Sequence, residues 1–144
     1  MMKLNDYRAS FGLTLDQFVS QHNIDQKHVH RNVRYEKISD VIRVDAGHDQ
    51  FFFFKDEKLR IIYLSEERLS TNVWNEFKSI AYLETPEKTV RSRAGKTSNQ
   101  LIFATQGISA SIQKDIVDFI EIYPPCSLQE YLANIYSEPM KFIR

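Results

Sequence analysis

Residues 50–64 read Gln50-Phe51-Phe52-Phe53-Phe54-Lys55-Asp56-Glu57-Lys58-Leu59-Arg60-Ile61-Ile62-Tyr63-Leu64. Four consecutive phenylalanines are apolar on both parities of a strand. That pattern suits a strand covered on each face. Lys55-Asp56-Glu57-Lys58 is a polar break that reads as a hairpin turn, and residues 59–64 as the returning strand. The run is far too short to cross a bilayer.

Working outward, residues 29–35 and 41–44 read as two earlier strands, with Asp45-Ala46-Gly47-His48 as a turn. Beyond the hairpin lie four more strand signals, at 88–93, 100–105, 107–112 and 116–123, and Gly107 turns one of the hairpins. The segment 116–123 is again apolar on both faces.

Helices separate these groups. Thr14 with Gln17 forms a capping box, and Leu15, Phe18 and Val19 supply an apolar face that fades near His22. A second helix is expected to start at Ser70 and to carry Val73, Phe77 and Ile80, with Pro86 ending it. Ser127 with Glu130 is a third capping box, opening a helix over 127–138 that Pro139 stops.

The chain therefore reads as a helix and four strands, twice over (14–64 and 70–123), then a final helix. It predicts one α+β domain over 1–144, helices packed on a mainly antiparallel sheet. At 144 residues the chain can bury a core without staples.

Composition narrows the function classes. Nineteen basic residues balance nineteen acidic ones, which argues against nucleic-acid or membrane-surface binding through phosphate neutralisation. The single cysteine, Cys126, allows neither an internal disulfide nor a cysteine-rich zinc site. Residues 1–20 carry Lys3, Asp6, Arg8 and Asp16 and no apolar core, so a cytoplasmic location is expected.

The layout resembles the small α/β module that outer-membrane assembly lipoproteins carry and that β-lactamase inhibitor proteins carry in tandem. Gly12-Leu13-Thr14-Leu15-Asp16-Gln17-Phe18 resembles the family's glycine-hydrophobe-threonine helix start. Leu83-Glu84-Thr85-Pro86 resembles its Leu-Gly-x-Pro, with Glu84 in place of the glycine. The resemblance implies a non-enzymatic module that grips another protein. In size and lack of motif the chain is also similar to the small cytoplasmic immunity proteins of bacterial toxin systems.

Candidate chemistry is sparse. Gly95-Lys96-Thr97 is the tail of a phosphate-binding loop, but the glycine needed five residues earlier is Val90. The segment reads as a hairpin turn with Gly95 or Asn99 at positive φ. His28 and His30 share a strand face, and His48 could add a third metal ligand; the competing reading is surface histidines. Cys126 precedes a helix cap, where it packs and where the helix N-terminus would draw its thiol pKa down. No catalytic residue, cofactor or metal ligand is assigned.

Aromatic residues flanked by charge suit an interface, and Tyr35 and Tyr136 are of that kind. With the basic Arg91, Arg93 and Lys96 and the acidic Asp115, Asp118 and Glu121 they make the candidate partner-binding set. The expected function is a protein-binding domain, an inhibitor or immunity protein whose partner is a cognate toxin. The alternative is a ligand- or metal-binding protein, or an enzyme, with a pocket near His28, His30 and His48 or near Arg91, Arg93 and Lys96. A cleft lined by those groups would favour it.

Overall fold

The structure is a computed structural model and describes residues 2–81 and 85–139. Its helices are α1 (Leu4–Ala9), α2 (Leu15–Gln21), α3 (Glu67–Ile80) and α4 (Leu128–Asn134). Its strands are β1 (Val29–Tyr35), β2 (Ile38–Asp45), β3 (Gln50–Lys55), β4 (Lys58–Leu64), β5 (Lys88–Arg91), β6 (Asn99–Phe103), β7 (Ile108–Gln113) and β8 (Ile116–Ile122).

Local chemistry starts the helices. The Thr14 hydroxyl accepts from the Gln17 amide at 3.2 Å, and the Gln17 side chain accepts from the Thr14 amide at 2.9 Å. Ser127 and Glu130 repeat this box at α4. At α3 the expected Ser70 cap is wrong. Glu66 caps the helix, its carboxylate accepting from the Arg68 and Leu69 amides, and its charge suits the positive end of the helix dipole. Ser70 is buried in the first turns and donates to the Leu64 carbonyl. α1 was not expected: only Leu4 and Tyr7 of its six residues are buried, too short a span to show a period. α3 ends at Ile80, ahead of Pro86, and the resemblance drawn on Leu83 and Glu84 lies outside the described residues.

The eight strands form one sheet in the order β1-β2-β3-β4-β8-β7-β6-β5, each neighbour antiparallel. Each half is thus a four-stranded meander. The halves meet where β4 pairs with β8, through Ile62↔Ile122, Tyr63↔Glu121 and Leu64↔Ile120. Asp56 (φ 52°) and Glu57 (φ 67°) turn the β3–β4 hairpin, both left-handed as a two-residue turn of this hand requires. β2 begins earlier than expected because a similar turn at Glu36 (φ 48°) brings Ile38 opposite Tyr35.

Beyond α3 three elements differ from expectation: α4 ends at Asn134 and not at 138, β6 ends at Phe103 where a 3-10 turn over Ala104–Gln106 takes the place of its expected last residues, and β5 is shortened. β5 stops at Arg91, and 92–98 is a loop closed by the Ser92 amide donating to the Ser98 carbonyl. Neither Gly95 nor Asn99 has a positive φ. Gly107 does, at 68°, and a Cβ there would lie 2.3 Å from the Tyr123 carbonyl oxygen.

The phenylalanine run divides its rings between two cores. Phe52 and Phe54 face α1, α2 and α3, with Phe18 4.4 and 5.6 Å away. Phe53 and Phe51 face the other side, where α4 lays Tyr131 and Ile135 over Ile102, Ala104 and Tyr123. On that side Tyr35, from edge strand β1, reaches Glu121 on β8, four strands away in the order. Arg93, from the loop beyond the opposite edge strand, reaches Tyr35. The sheet therefore curls around this second face and makes it concave. Among the described residues no helix is long and apolar enough to cross a membrane.

Candidate functional site

The concave face is organised by register. Asp45, Phe51, Tyr63, Glu121 and Ser109 lie directly opposite one another on β2, β3, β4, β8 and β7. Residues paired in this way present their side chains on one face. Phe51 and Tyr63 are half-buried with ring centroids 6.2 Å apart, and Tyr63 lies 5.2 Å from Phe119. The Arg93 guanidinium covers three rings, 4.5 Å from Phe119, 5.2 Å from Tyr35 and 5.5 Å from Tyr63. At the other end Arg43 lies 5.5 Å over Phe51. Asp45 holds Arg43 at 2.8 Å and His30 at 3.0 Å. The result is a trough with an aromatic floor and arginines at both ends.

Beneath Arg93 sits a buried carboxylate. Glu121 is fully buried and accepts from the Tyr35 hydroxyl, the Tyr131 hydroxyl and, at 3.0 Å, the Gln100 amide. Arg93 lies 3.6 Å from it, and also bonds Glu36 at 2.9 Å and the Tyr35 hydroxyl at 2.8 Å. A buried charge is tolerated only with such pairing and hydrogen bonding. Burial works against the Arg93 charge, but Tyr35, Glu121 and Glu36 outweigh it and keep its pKa above the ordinary value. Burial, reinforced by Glu121, pushes the Tyr35 and Tyr131 hydroxyls well up, so both stay protonated as donors.

Of the residues singled out in the sequence, Tyr35, Arg93, Asp118 and Glu121 come together here. Asp118 accepts from the Ser111 hydroxyl at 2.9 Å. Tyr35 and Glu121 are buried, so they support the trough from below. Arg91, Lys96 and Asp115 are exposed and lie outside it, and Tyr136 donates to the Arg91 carbonyl at 2.7 Å. Arg43, Phe51 and Gln100 were missed, while Tyr63 and Tyr131 are among the interface-type aromatics of the sequence but were not singled out from them. Strand parity could have flagged Phe51 and Tyr63, but Gln100 and Tyr131 join only through long-range pairing.

The histidines do not converge on one point. His30 is taken by Asp45, while His28 and His48, with His22, line a groove at the end of the sheet. Among the described residues no group of three or more metal-ligating side chains is assembled. The expected pull of the helix N-terminus on Cys126 is overridden: burial, with Glu130 and Glu87 nearby, pushes its thiol up. No protein family, curated protein or solved structure matches the chain.

Proposed function

We propose that this chain is a non-enzymatic protein-binding domain, an inhibitor or immunity protein that neutralises a partner toxin in the bacterial cytoplasm by gripping it with the concave face. The observation that carries the reading is the trough itself. Arginine and large aromatic side chains are the residues that dominate protein interfaces, and they work best clustered on a rigid support. Here Arg43, Phe51, Tyr63 and Arg93 stand half-exposed in one row, each on or against a different strand. Their geometry is set from beneath by the Glu121 network. That network also supports a non-catalytic role, because its carboxylate is already occupied by donors of its own chain.

The test is affinity capture from native cells with the wild-type chain and with Phe51→Ala/Tyr63→Ala, followed by identification of the partner. The expected result is a stoichiometric partner that poisons cells unless this chain is co-expressed, and that the double variant loses. Truncating one well-placed aromatic anchor costs about 2 kcal/mol or more of binding. Recovery of no stoichiometric partner, or equal recovery by both chains, would overturn the reading.

A further inference from the structure

The trough is bordered by the edge strand β1, and that edge is positively charged. Lys27, Arg31, Arg34 and Lys37 follow one another along β1 and its two flanks, all exposed. β1 itself is seven residues, about 20 Å of strand. Among the described residues none of the four cations is in an ion pair. Arg34 and Lys37 each spend a donor on a carbonyl, of Glu36 and Leu132, and keep their charge.

The neighbouring carboxylates do not cancel them. Glu36 is bonded to Arg93 at 2.9 Å and Asp45 to Arg43 at 2.8 Å, so each is matched by a cation outside this set. Asp25 and Asp40 remain, both exposed, and Lys55 reaches the Ser39 carbonyl next to Asp40. The register shows how the chain aims these side chains. His30 opposes Arg43 and Val33 opposes Val41, so three steps on β1 match two on β2. Asn32, at φ 57°, takes up the extra residue as a bulge. His30 and Val33 then both face the concave side, where His30 meets Asp45 and Val33 the second core, while Arg31 and Asn32 stand out in solvent. Bulging alone blunts an edge strand against unwanted pairing. It leaves the basic side chains without a use inside the chain.

A charged border beside an aromatic trough has the layout of a protein interface, with anchors at the centre and a polar rim. We propose that the β1 edge is the rim of the concave site, and that the partner seated there presents an acidic protein surface to it. This rests on the protein-binding reading and adds the partner's charge. Rim charges act mainly on the rate of encounter. A nucleic acid fits less well, because its continuous phosphates would also meet Asp25 and Asp40, and the whole chain has no net positive charge to hold them.

Two measurements on the full chain test it, each with the wild type and with Arg31→Glu/Arg34→Glu. In the first, poly-L-glutamate is titrated at low salt into isotopically labelled protein and followed by NMR, beside poly-L-lysine and a DNA duplex. Saturable shifts are expected at the backbone amides of Arg31, Asn32 and Arg34 with polyglutamate and not with polylysine, and they should vanish in the variant. In the second, stopped flow follows association with the partner captured through the trough. The variant should associate about tenfold more slowly at low ionic strength, the gap closing by about 0.5 M salt, with little change in dissociation. Its melting temperature should stay in place, since both residues are exposed. A recovered partner that binds both chains at equal rates, or the variant faster, overturns the acidic-partner inference and leaves the trough standing. Recovery of no partner overturns the trough instead, and the NMR titration then decides the edge by itself. Equal shifts with polylysine, shifts centred elsewhere, or tighter binding of DNA than of polyglutamate would end the proposal.

Discussion

Replacing Arg93 by methionine is the sharpest test of how the concave face is held. The substitution keeps an unbranched side chain over the rings and removes the charge. Two unit charges 3.6 Å apart attract by about 5 kcal/mol at an effective dielectric constant of about 20. Removing one member also leaves Glu121, fully buried, without its counter-charge. Breaking a buried pair in this way costs about 3–5 kcal/mol. The Glu36 contact adds little, because that carboxylate is 23% exposed and water can replace the arginine. The expected loss is therefore about 3–5 kcal/mol at pH 7, a fall in melting temperature of about 6–20 °C for a chain of this size. Urea denaturation followed by Trp74 fluorescence measures it. Adding Glu121→Gln to the Arg93→Met chain removes the orphaned charge and keeps the shape, so the double variant should be more stable than Arg93→Met alone. A loss under about 1 kcal/mol, or a second substitution that restores nothing, would refute the pairing argument.

Further predictions concern the scaffold. Gly107→Ala meets both a positive φ and the Tyr123 carbonyl at 2.3 Å, so it should cost about 3 kcal/mol or more in denaturation. Gly47→Ala meets the φ penalty at 84° but open space, and should cost only about 1 kcal/mol. Thr14→Ala removes one half of a capping box and should lower stability by about 1 kcal/mol, with less helical circular dichroism lost than that implies for α2 alone. Tyr7, Tyr35, Tyr123 and Tyr131 all have hydroxyl pKa values raised chiefly by burial. Their stabilising contribution is fully present below the unfolded value of about 10 and is lost as pH rises above it, by about 1.4 kcal/mol per pH unit for each group. Alkaline unfolding should be steep, and the tyrosinate absorbance of these four should appear with unfolding and not before; earlier ionisation would contradict their burial.

Much of the architecture was legible because its signals are local. Thr14 with Gln17 and Ser127 with Glu130 announce their helices within four residues, and the break at Asp56-Glu57 announces its hairpin. The errors arose where two residues competed for one job. Glu66 and Ser70 can both cap a helix, and the choice went to the one whose carboxylate reaches two amides. Gly95 had the residue type for a left-handed turn, but the 92–98 loop closes through Ser92 and Ser98 without one. The candidate site was legible only in pieces. Tyr35, Arg93 and Glu121 attracted notice as charged or charge-flanked residues, and their meeting depends on the curl of the whole sheet. Tyr63 became part of the site only once its position opposite Glu121 was known.

The strand order has a consequence for synthesis on the ribosome. β4 finds its second neighbour only in β8, the last of the described strands in the sequence. The first half must therefore wait, with Ile62 and Leu64 on an unpaired border, until residues 116–122 have emerged. An open apolar border is a template for joining the wrong polypeptide. Release of truncated chains ending before Ile116 should yield insoluble material, while the finished chain seals that border inside itself.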